Sequence, residues 1–583
     1  MSGKHATGIP LSLKYFAALT LPGWSQSLST ASTRLATNGT LAIAAGNVTL
    51  AGATDAGGLL SINARDRLAL SGTLFGSKAI TLDANILDLA GTIQSLGALS
   101  VTTLDRTDIG ANARLLSGGT LRLNGGRNIN ALGTIASAFG GTFNASDSII
   151  SVGRIDSGAA VDFAAQTLSL GGTIASEGGV TAKALGTLAV DGTISAKAGV
   201  GLDGTRISVG GSVFTRDNAR ITSTGALDIA GTVAADKRVD LGTGDLTISG
   251  KVVGTTALAA NAANIIVGVN GDLQSGAALS LDATQALRVD GALLALDALS
   301  LVGAASLDLN GTTQSGGNSA LASNGTLTTR GTVSASGDIG ASATTAALGG
   351  RLSSGGTLSL SAAQATVTGR LAAKTAIDVT ATGAATLALG STLESDGRTS
   401  VKGANVAANG TLLSGTTALL DAATTLDQTG RVEARDAVRF TALGSLSNSG
   451  TVLTLGSVTI TGGATDLGGD ISANTLSVNA DALRVRGKLS AGQTLDLITA
   501  NALTTDATAA LASGAAFGIS AGTNAALGGR IDAGGRLAVS AGDTLSVTGV
   551  AQSGADASLN GRTVTLDGRL AAERKAAEEK AKA

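Results

Sequence analysis

The sequence predicts an all-β fold: a right-handed parallel β-helix (solenoid) of about 27 coils with a roughly 20-residue repeat. Two observations lead to this prediction. Short runs alternate between apolar and polar residues, as in AITLDANILDLAGTIQSLG at 79–97, which is typical of half-buried strands. The same pattern then returns along the chain, for example as AVDFAAQTLSLGGTIASEG at 160–178. Strands that cannot form tight hairpins with one another can instead pair with their copies in the next repeat.

Glycines mark the period of the repeat. A glycine opens the third strand of each unit at steps of about 18 to 21 residues, from Gly52 through Gly390 to Gly568. Two longer steps of about 42 residues span irregular units near Gly110 and near Thr508. Asn-Gly, Asp-Gly and Gly-Gly pairs separate the runs, and these residues tolerate the left-handed conformations that corners need. Each turn is therefore predicted to have three strands and three corners.

Stacking in register gives every strand a parallel partner one unit later. Ile80 and Leu82 are then expected to align with Leu99 and Val101, and those in turn with Leu121 and Leu123. A left-handed hexapeptide helix is the rival fold, but it needs a branched apolar residue at every sixth position, and the spacing here is uneven. Parallel crossovers favour the right hand. At about 4.8 Å per coil, the predicted rod is on the order of 130 Å long.

Composition limits the classes of function. Glycine accounts for 84 of 583 residues and aromatic residues for 2%, so many narrow aliphatic layers are expected rather than one aromatic-rich core. The absence of cysteine rules out disulfides and thiolate metal sites. The net charge of -2 gives no basic surface for nucleic acid. No run of about 18 apolar residues is present, which predicts no membrane span.

Three segments are predicted along the chain. Residues 1–38 break the period and are expected to be a cap or linker, residues 39–570 form the repeat rod, and residues 571–583 form a charged Ala/Glu/Lys helical tail. The tail is expected to be either a polar cap or the start of a longer helix that the sequence cuts short. It is too short to be stable alone.

Candidate catalytic chemistry is sparse. The one histidine, His5, precedes the repeats, which argues against a Ser-His-Asp triad or a histidine-rich metal site in the rod. Asp105 and Asp108, with Arg106 between them, are the best candidates for paired carboxylates. We interpret them as a solvated corner, and therefore predict no catalytic, cofactor-binding or metal-binding residues and no cofactor.

Aromatic side chains give little support for carbohydrate stacking. The only Trp and Tyr, Trp24 and Tyr15, precede the repeats. The phenylalanines within the repeats are expected to fill the core or the corners. Those considered are Phe75, Phe139, Phe143, Phe163 and Phe214.

Units such as TLSLSAAQATVTGRLAAK, ALSLDATQALRVDGALLA and TLRLNGGRNINALGTIAS resemble the haemagglutinin repeats of filamentous haemagglutinin and related exoproteins of two-partner secretion. The resemblance covers roughly residues 39–570. It implies a filament that is secreted or displayed on a Gram-negative cell surface and exported by an outer-membrane transporter. The chain lacks the family's Asn-Pro-Asn secretion motif and an Arg-Gly-Asp tripeptide, and is expected to be an internal segment of a longer protein.

Three functions are considered, of which the resemblance implies the first two. The first is the rod of an adhesin that attaches to a host cell-surface receptor or glycan. The transporter would act through a region outside this sequence. The alternative is a passive stalk of a contact-dependent growth inhibition toxin. A polysaccharide-acting β-helix enzyme ranks last, because the units vary too little in length to wall a cleft. We therefore expect that the chain is not an enzyme.

Overall fold

The computed structural model of the protein describes residues 18–21, 27–30 and 34–572. All regular elements in these ranges are β-strands, joined by parallel pairing into about 27 turns. This confirms the predicted parallel β-solenoid and its spacing, while the hand of the coil stays a prediction. The chain divides into two compact units. The first comprises residues 1–284 and 289–296, and the second comprises residues 285–288 and 297–583.

The strands of the first unit are short, most of them four or five residues long. In chain order they are Ala18–Leu21, Ser27–Thr30, Leu35–Thr37, Thr40–Leu50, Ala53–Ala56, Leu60–Leu70, Thr73–Gly76, Ile80–Leu89, Thr92–Ser95, Leu99–Ile109, Arg114–Ser117, Leu121–Gly125, Asn128–Ala131, Thr134–Ser137, Gly141–Ala145, Ser148–Ser151, Arg154–Ser157, Val161–Ala165, Thr167–Leu170, Thr173–Ser176, Val180–Ala184, Thr187–Val190, Thr193–Ala196, Val200–Gly204, Arg206–Val209, Ser212–Thr215, Ala219–Ser223, Ala226–Ile229, Thr232–Ala235, Arg238–Gly242, Asp245–Ile248, Lys251–Gly254, Ala257–Ala262, Asn264–Val267, Asp272–Ser275, Ala278–Ala283 and Ala292–Ala295.

The strand Ala286–Val289 contains residues of both units. In the second unit many first and second strands join into one longer strand. Its strands are Leu299–Gly303, Ser306–Leu309, Thr312–Ser315, Ser319–Ala322, Thr326–Thr329, Thr332–Ala335, Ile339–Leu348, Arg351–Ser354, Thr357–Val367, Arg370–Ala373, Ala376–Ala381, Ala384–Leu387, Thr392–Ser395, Arg398–Ala408, Thr411–Ser414, Thr417–Gln428, Arg431–Ala434, Ala437–Asn448, Thr451–Thr454, Ser457–Leu467, Asp470–Val485, Lys488–Thr499, Leu503–Thr505, Ala510–Ser513, Phe517–Ala521, Ala525–Leu527, Arg530–Ala533, Leu537–Ala541, Thr544–Val547, Val550–Ser553, Ala557–Asn560, Thr563–Leu566 and Arg569–Ala572.

One turn of the first unit shows the plan of the repeat. Its first, second and third strands are Val161–Ala165, Thr167–Leu170 and Thr173–Ser176. Each pairs in parallel with the corresponding strand of the next turn, as Ile174 does with Ile194. The predicted register is confirmed. Ile80 and Leu82 align with Leu99 and Val101, and these align with Leu121 and Leu123.

Inward positions of successive strands build the core of each unit. Alternate residues face inward because side chains of a strand point to opposite sides, and Leu, Ile and Val fill most of these positions. In the first unit Phe143 and Phe163 are also buried, and their rings stack with centroids 4.9 Å apart. In the second unit Phe440 and Phe517 are buried in the same way. Each layer of the core therefore consists of side chains from one turn packed on those of its neighbours.

The corner before the third strand explains the glycine period. A Cβ atom on Gly192 would come within 3.0 Å of the carbonyl oxygen of Gly172, one turn earlier, and a Cβ on Gly211 would meet that of Gly192 in the same way. Real Cβ atoms essentially never approach so closely. At the regular corners the backbones of successive turns thus stack too tightly for a side chain.

The two irregular units are now explained. At residues 110–113 and 506–509 the corner is a tighter turn, closed by hydrogen bonds from Ala113 N–H to Gly110 O and from Ala509 N–H to Asp506 O. Ala113 and Ala509 thus take the position of the stacking glycine, and the period is not broken.

One glycine of the predicted series was wrongly placed. Gly390 lies at the tip of such a turn, with φ +85°. Ser391, whose N–H bonds to Ala388 O, precedes the third strand Thr392–Ser395 instead.

Serines close the corner after the third strand. Ser95 Oγ lies 2.7 Å from Lys78 O and 3.1 Å from Ala98 O, although its side chain is buried. Ser414 Oγ makes equivalent contacts in the second unit, with Gly397 O and Thr417 O. These hydroxyls satisfy backbone carbonyls at a bend, where the ladder between strands cannot.

Both ends of the described chain continue the repeat. Ala18–Leu21 and Ser27–Thr30 pair in parallel with Thr40–Leu50, within the segment predicted as a non-repeat cap or linker. Arg569–Ala572 pairs with Val550–Ser553 and includes the first two residues of the predicted tail. Residues 573–583 lie outside the described residues, as do His5, Tyr15 and Trp24. The three-segment division therefore stays a prediction.

Candidate functional surface

A ladder of charged side chains crosses four turns of the first unit on the outer face of the second strands. We call it the Arg106 ladder. Arg67 pairs with Asp88. Arg106 Nη2 lies 3.7 Å from Asp88 Oδ1, and Arg106 Nε lies 2.8 Å from Asp108 Oδ2. Asn130 Nδ2 donates to Asp108 Oδ1 at 2.6 Å. Asp88 and Asp108 align directly with each other on adjacent turns. Arg106 therefore contacts two carboxylates that would otherwise repel each other.

This ladder accounts for the carboxylates singled out in the sequence. Asp108 is engaged by Arg106 and Asn130, while Asp105 lies at the corner, where its backbone carbonyl accepts from Arg127 N–H at 2.6 Å. The structure therefore brings Asp108 together with Asp88, one turn earlier, rather than with Asp105. Across the described ranges, no group of three or more His, Asp or Glu side chains could hold a metal ion. The Asp88 alignment was not predicted, because a register shift between Thr103 and Arg106 moves it by one residue from the alignment that the first strands give.

A shallow groove of about 470 Å³ runs along the second strands of the second unit. Small residues begin the second strand in four consecutive turns and line it: Ser445, Ala464, Ala482 and Ala502. Asp466 and Arg484 line it too. Because short side chains occupy this position on four consecutive turns, the outer surface forms a shallow depression there. The sequence offered no such signal, since alanine and serine are common throughout.

Two bidentate ion pairs border this groove. Arg486 Nε and Nη2 donate to the Asp466 carboxylate at 2.9 and 2.8 Å, and Arg484 donates to that of Asp506 at 3.1 and 2.7 Å. The hydrogen bond from Arg484 lowers the pKa of Asp506. Desolvation opposes this shift, and the charges of Arg484 and Arg486 add smaller lowering effects. The same hydrogen bond raises the pKa of Arg484. Charges on neighbouring turns are thus satisfied within the chain.

The phenylalanines divide into two groups. Phe143 and Phe163 fill the core as predicted. Phe75 is half-buried on the outer side of a third strand. Phe139 lies at a corner, as predicted, and its side chain is 67% exposed. The prediction was wrong for Phe75 and Phe214, which face outward on third strands rather than filling the core or a corner. The Phe214 side chain is 42% exposed.

These features define a class of protein: a parallel β-solenoid repeat protein whose outer faces carry ladders of paired charges and hydroxyls. The haemagglutinin-repeat family model matches overlapping stretches across residues 11–450, which are 11–72, 55–105, 97–168, 150–231, 228–303, 289–387 and 366–450. The chain therefore belongs to the haemagglutinin-repeat family, as the resemblance implied.

Other comparisons add no relative. No curated protein and no solved structure matches the chain. Proteins of the haemagglutinin-repeat family are associated with two-partner secretion and adhesion, and are typically secreted or surface-exposed. Among the described residues there is no helix that could span a membrane.

Proposed function

We propose that this chain is the rod of a filamentous adhesin, secreted or displayed on a Gram-negative cell surface, and that it attaches to host cells. The observation that carries the proposal is the parallel pairing of each turn with the next within each unit, as at Ile174 and Ile194. Turns that pair only with their neighbours lengthen the molecule without enlarging its core. Together with membership of the family, this supports a role in reach and repetitive surface contact rather than catalysis.

The outer faces are suited to broad contact. Outward positions carry mostly threonine, serine and alanine, with ladders such as the Arg106 ladder on one face. A long polar surface of this kind suits many weak contacts with a receptor or glycan. An outer-membrane transporter is the proposed export partner, acting through a region outside this sequence.

Cell binding tests the proposal. The labelled, monodisperse chain would be titrated on host epithelial cells and on bacterial cells, beside a chain of equal length whose outward residues are shuffled within their columns. Saturable binding to host cells that the shuffled chain lacks is the expected result. Binding to neither cell type would instead favour the passive stalk of a contact-dependent inhibition toxin. Release of reducing sugar from a polysaccharide panel would overturn the proposal that the chain is not an enzyme.

A further inference from the structure

Seven of the described third strands begin with an arginine, and in three of them the arginine has an acidic partner on the same strand. Arg154 Nε lies 2.6 Å from Asp156, Arg530 Nε lies 2.5 Å from Asp532, and Arg431 pairs with Glu433. In each case the acid stands two residues after the arginine, on the same outer face. These three strands thus neutralise an outward guanidinium locally.

Two consecutive turns of the second unit each begin the third strand with an arginine and lack such an acid. Arg351 and Arg370 begin the strands Arg351–Ser354 and Arg370–Ala373, and the residues two positions later are Ser353 and Ala372. The two arginines align directly with each other across the turns. Like charges that face each other across a strand pair are destabilising. The strands therefore place two exposed positive charges side by side without an acid on either strand.

Compensation from the rest of the chain is incomplete. Arg370 pairs with Glu394 of the following turn, on the side away from Arg351. The Arg351 guanidinium has no hydrogen-bonding or ionic partner in the described part of the chain. The Arg106 ladder shows the contrast, because there the aligned Asp88 and Asp108 have Arg106 between them.

Hydroxyl groups surround the two arginines. Thr332 aligns with Arg351, and Ser334 aligns with Ser353, all on the outer side of their strands. Arg330 occupies the adjoining corner, one residue before Gly331, whose carbonyl accepts from Arg351 N–H at 3.0 Å. Arg330 Nη1 donates to Asn310 Oδ1 at 3.3 Å. Guanidinium groups and hydroxyls are the donors that bind oxyanions, since they offer several N–H and O–H groups in fixed directions.

Arg114 differs from this pair because no second arginine is aligned with it. It also begins a third strand and is followed two residues later by an apolar residue, Leu116. Its aligned neighbours are Thr92 and Thr134, so it is a single charge. Only the aligned pair concentrates positive charge with donors on both sides.

We propose that Arg351 and Arg370 form an oxyanion site, which binds a sulfate, phosphate or carboxylate group of a ligand with help from the hydroxyls of Thr332 and Ser353. An oxyanion between the guanidinium groups would replace the acid that these two strands lack. The site does not depend on the proposed role in host-cell adhesion, because it is defined by ligand chemistry alone.

Dextran sulfate binding to the full chain at low ionic strength tests the site, with uncharged dextran as the blank. The double variant R351Q/R370Q should weaken binding by about tenfold or more, the scale of lost hydrogen bonds to charged groups. Glu394→Gln should tighten binding, because it frees Arg370. Arg431→Gln is the matched control, since it removes an arginine that already has its acid, and it should leave binding unchanged.

The set of variants also distinguishes loss of the site from misfolding of a variant. A gain of affinity in E394Q cannot come from a damaged fold. Equal losses in R431Q and in the double variant would overturn the proposal, because binding would then follow total charge. An absence of dextran sulfate binding by the unaltered chain would overturn it too. Competition by inorganic sulfate, inorganic phosphate and polygalacturonate identifies which oxyanion the site prefers. The cell-binding experiment tests the proposed function separately.

Discussion

The carbonyl oxygen of Gly172 accepts a hydrogen bond from Thr193 N–H at 2.8 Å and also faces the Cα of Gly192, where no Cβ atom would fit. One oxygen therefore holds the next turn in place and excludes a side chain from it. The same hydrogen bond and the same steric exclusion apply at each regular glycine corner. The spacing of the glycines is therefore a direct consequence of the short distance between stacked turns.

Replacing Gly192 with alanine should push the two turns apart and weaken that hydrogen bond. We expect a loss of about 1–3 kcal/mol, the usual cost of overpacking. Hydrogen exchange of the Thr193 amide is the measurement, and it should become faster. The control is Gly201→Ala, because a Cβ there meets nothing within 4 Å. Equal exchange in both variants would contradict the steric explanation.

A buried polar pair in the second unit allows a second test. Asn448 Nδ2 donates to Gln428 Oε1, and Gln428 Nε2 donates to Gly430 O at 2.6 Å. Asn448→Leu alone leaves the buried Oε1 of Gln428 without its donor and should cost about 1–3 kcal/mol. The double change of both residues to leucine should recover most of that loss, since the aligned neighbours Ala408 and Leu467 are apolar.

Denaturant midpoints of the single and double variants measure this coupling. A double variant less stable than N448L would show that the polar pair stabilises the unit beyond satisfying its own groups. The Asn448 Oδ1 atom has no partner, which is a further reason to expect that leucine is tolerated.

The pair of Arg484 and Asp506 predicts a dependence of stability on pH. The hydrogen bond from Arg484 lowers the pKa of Asp506 in the folded chain. Its contribution is therefore present above the ordinary carboxyl pKa and is lost as the pH falls through the lowered value. Carbon-13 NMR titration of the Asp506 carboxyl should show the low pKa, and R484Q should raise it.

Solvent exposure keeps this contribution small and sensitive to salt. Asp481→Asn is the matched control for removing a carboxylate, because Asp481 lies exposed at a corner of the same region. An Asp506 titration that does not respond to R484Q would contradict the assigned cause.

The Arg106 ladder predicts a local electrostatic effect. Arg106→Gln leaves the aligned Asp88 and Asp108 with less compensation, and should destabilise the first unit by up to about 1 kcal/mol at low salt. Adding Asp108→Asn should restore the stability that Arg106→Gln removes. Thermal unfolding at low and high salt measures both, and salt should diminish the difference. Full persistence of the effect in high salt would argue against a charge-based cause.

Much of the fold could be predicted because period and alternation are repeated so often. The alignment of Ile80 with Leu99 follows from those two facts alone. Gly390 shows the limit. It matched the period by spacing, yet the structure places Ser391 at the stacking position, because a two-residue insertion displaces the glycine to the tip of the turn. Spacing cannot distinguish a stacking glycine from a neighbouring turn glycine.

Surface chemistry was less predictable. Asp105 and Asp108 are close in sequence, but the carboxylate aligned with Asp108 belongs to Asp88, 20 residues earlier. The pairing of Arg351 with Arg370 is equally remote in sequence. In a solenoid the important neighbours are one period away, and an error of one residue in register exchanges inner and outer faces.

The glycine corner has a consequence for how such chains change in length. Gly172 and Gly192 have equivalent environments, and Thr173 and Thr193 begin equivalent strands. Excising residues 173–192 would join Gly172 to Thr193 and recreate the junction that was removed. Whole turns are thus interchangeable modules, so unequal recombination between repeats can lengthen or shorten the chain while every remaining residue keeps the same kind of neighbour.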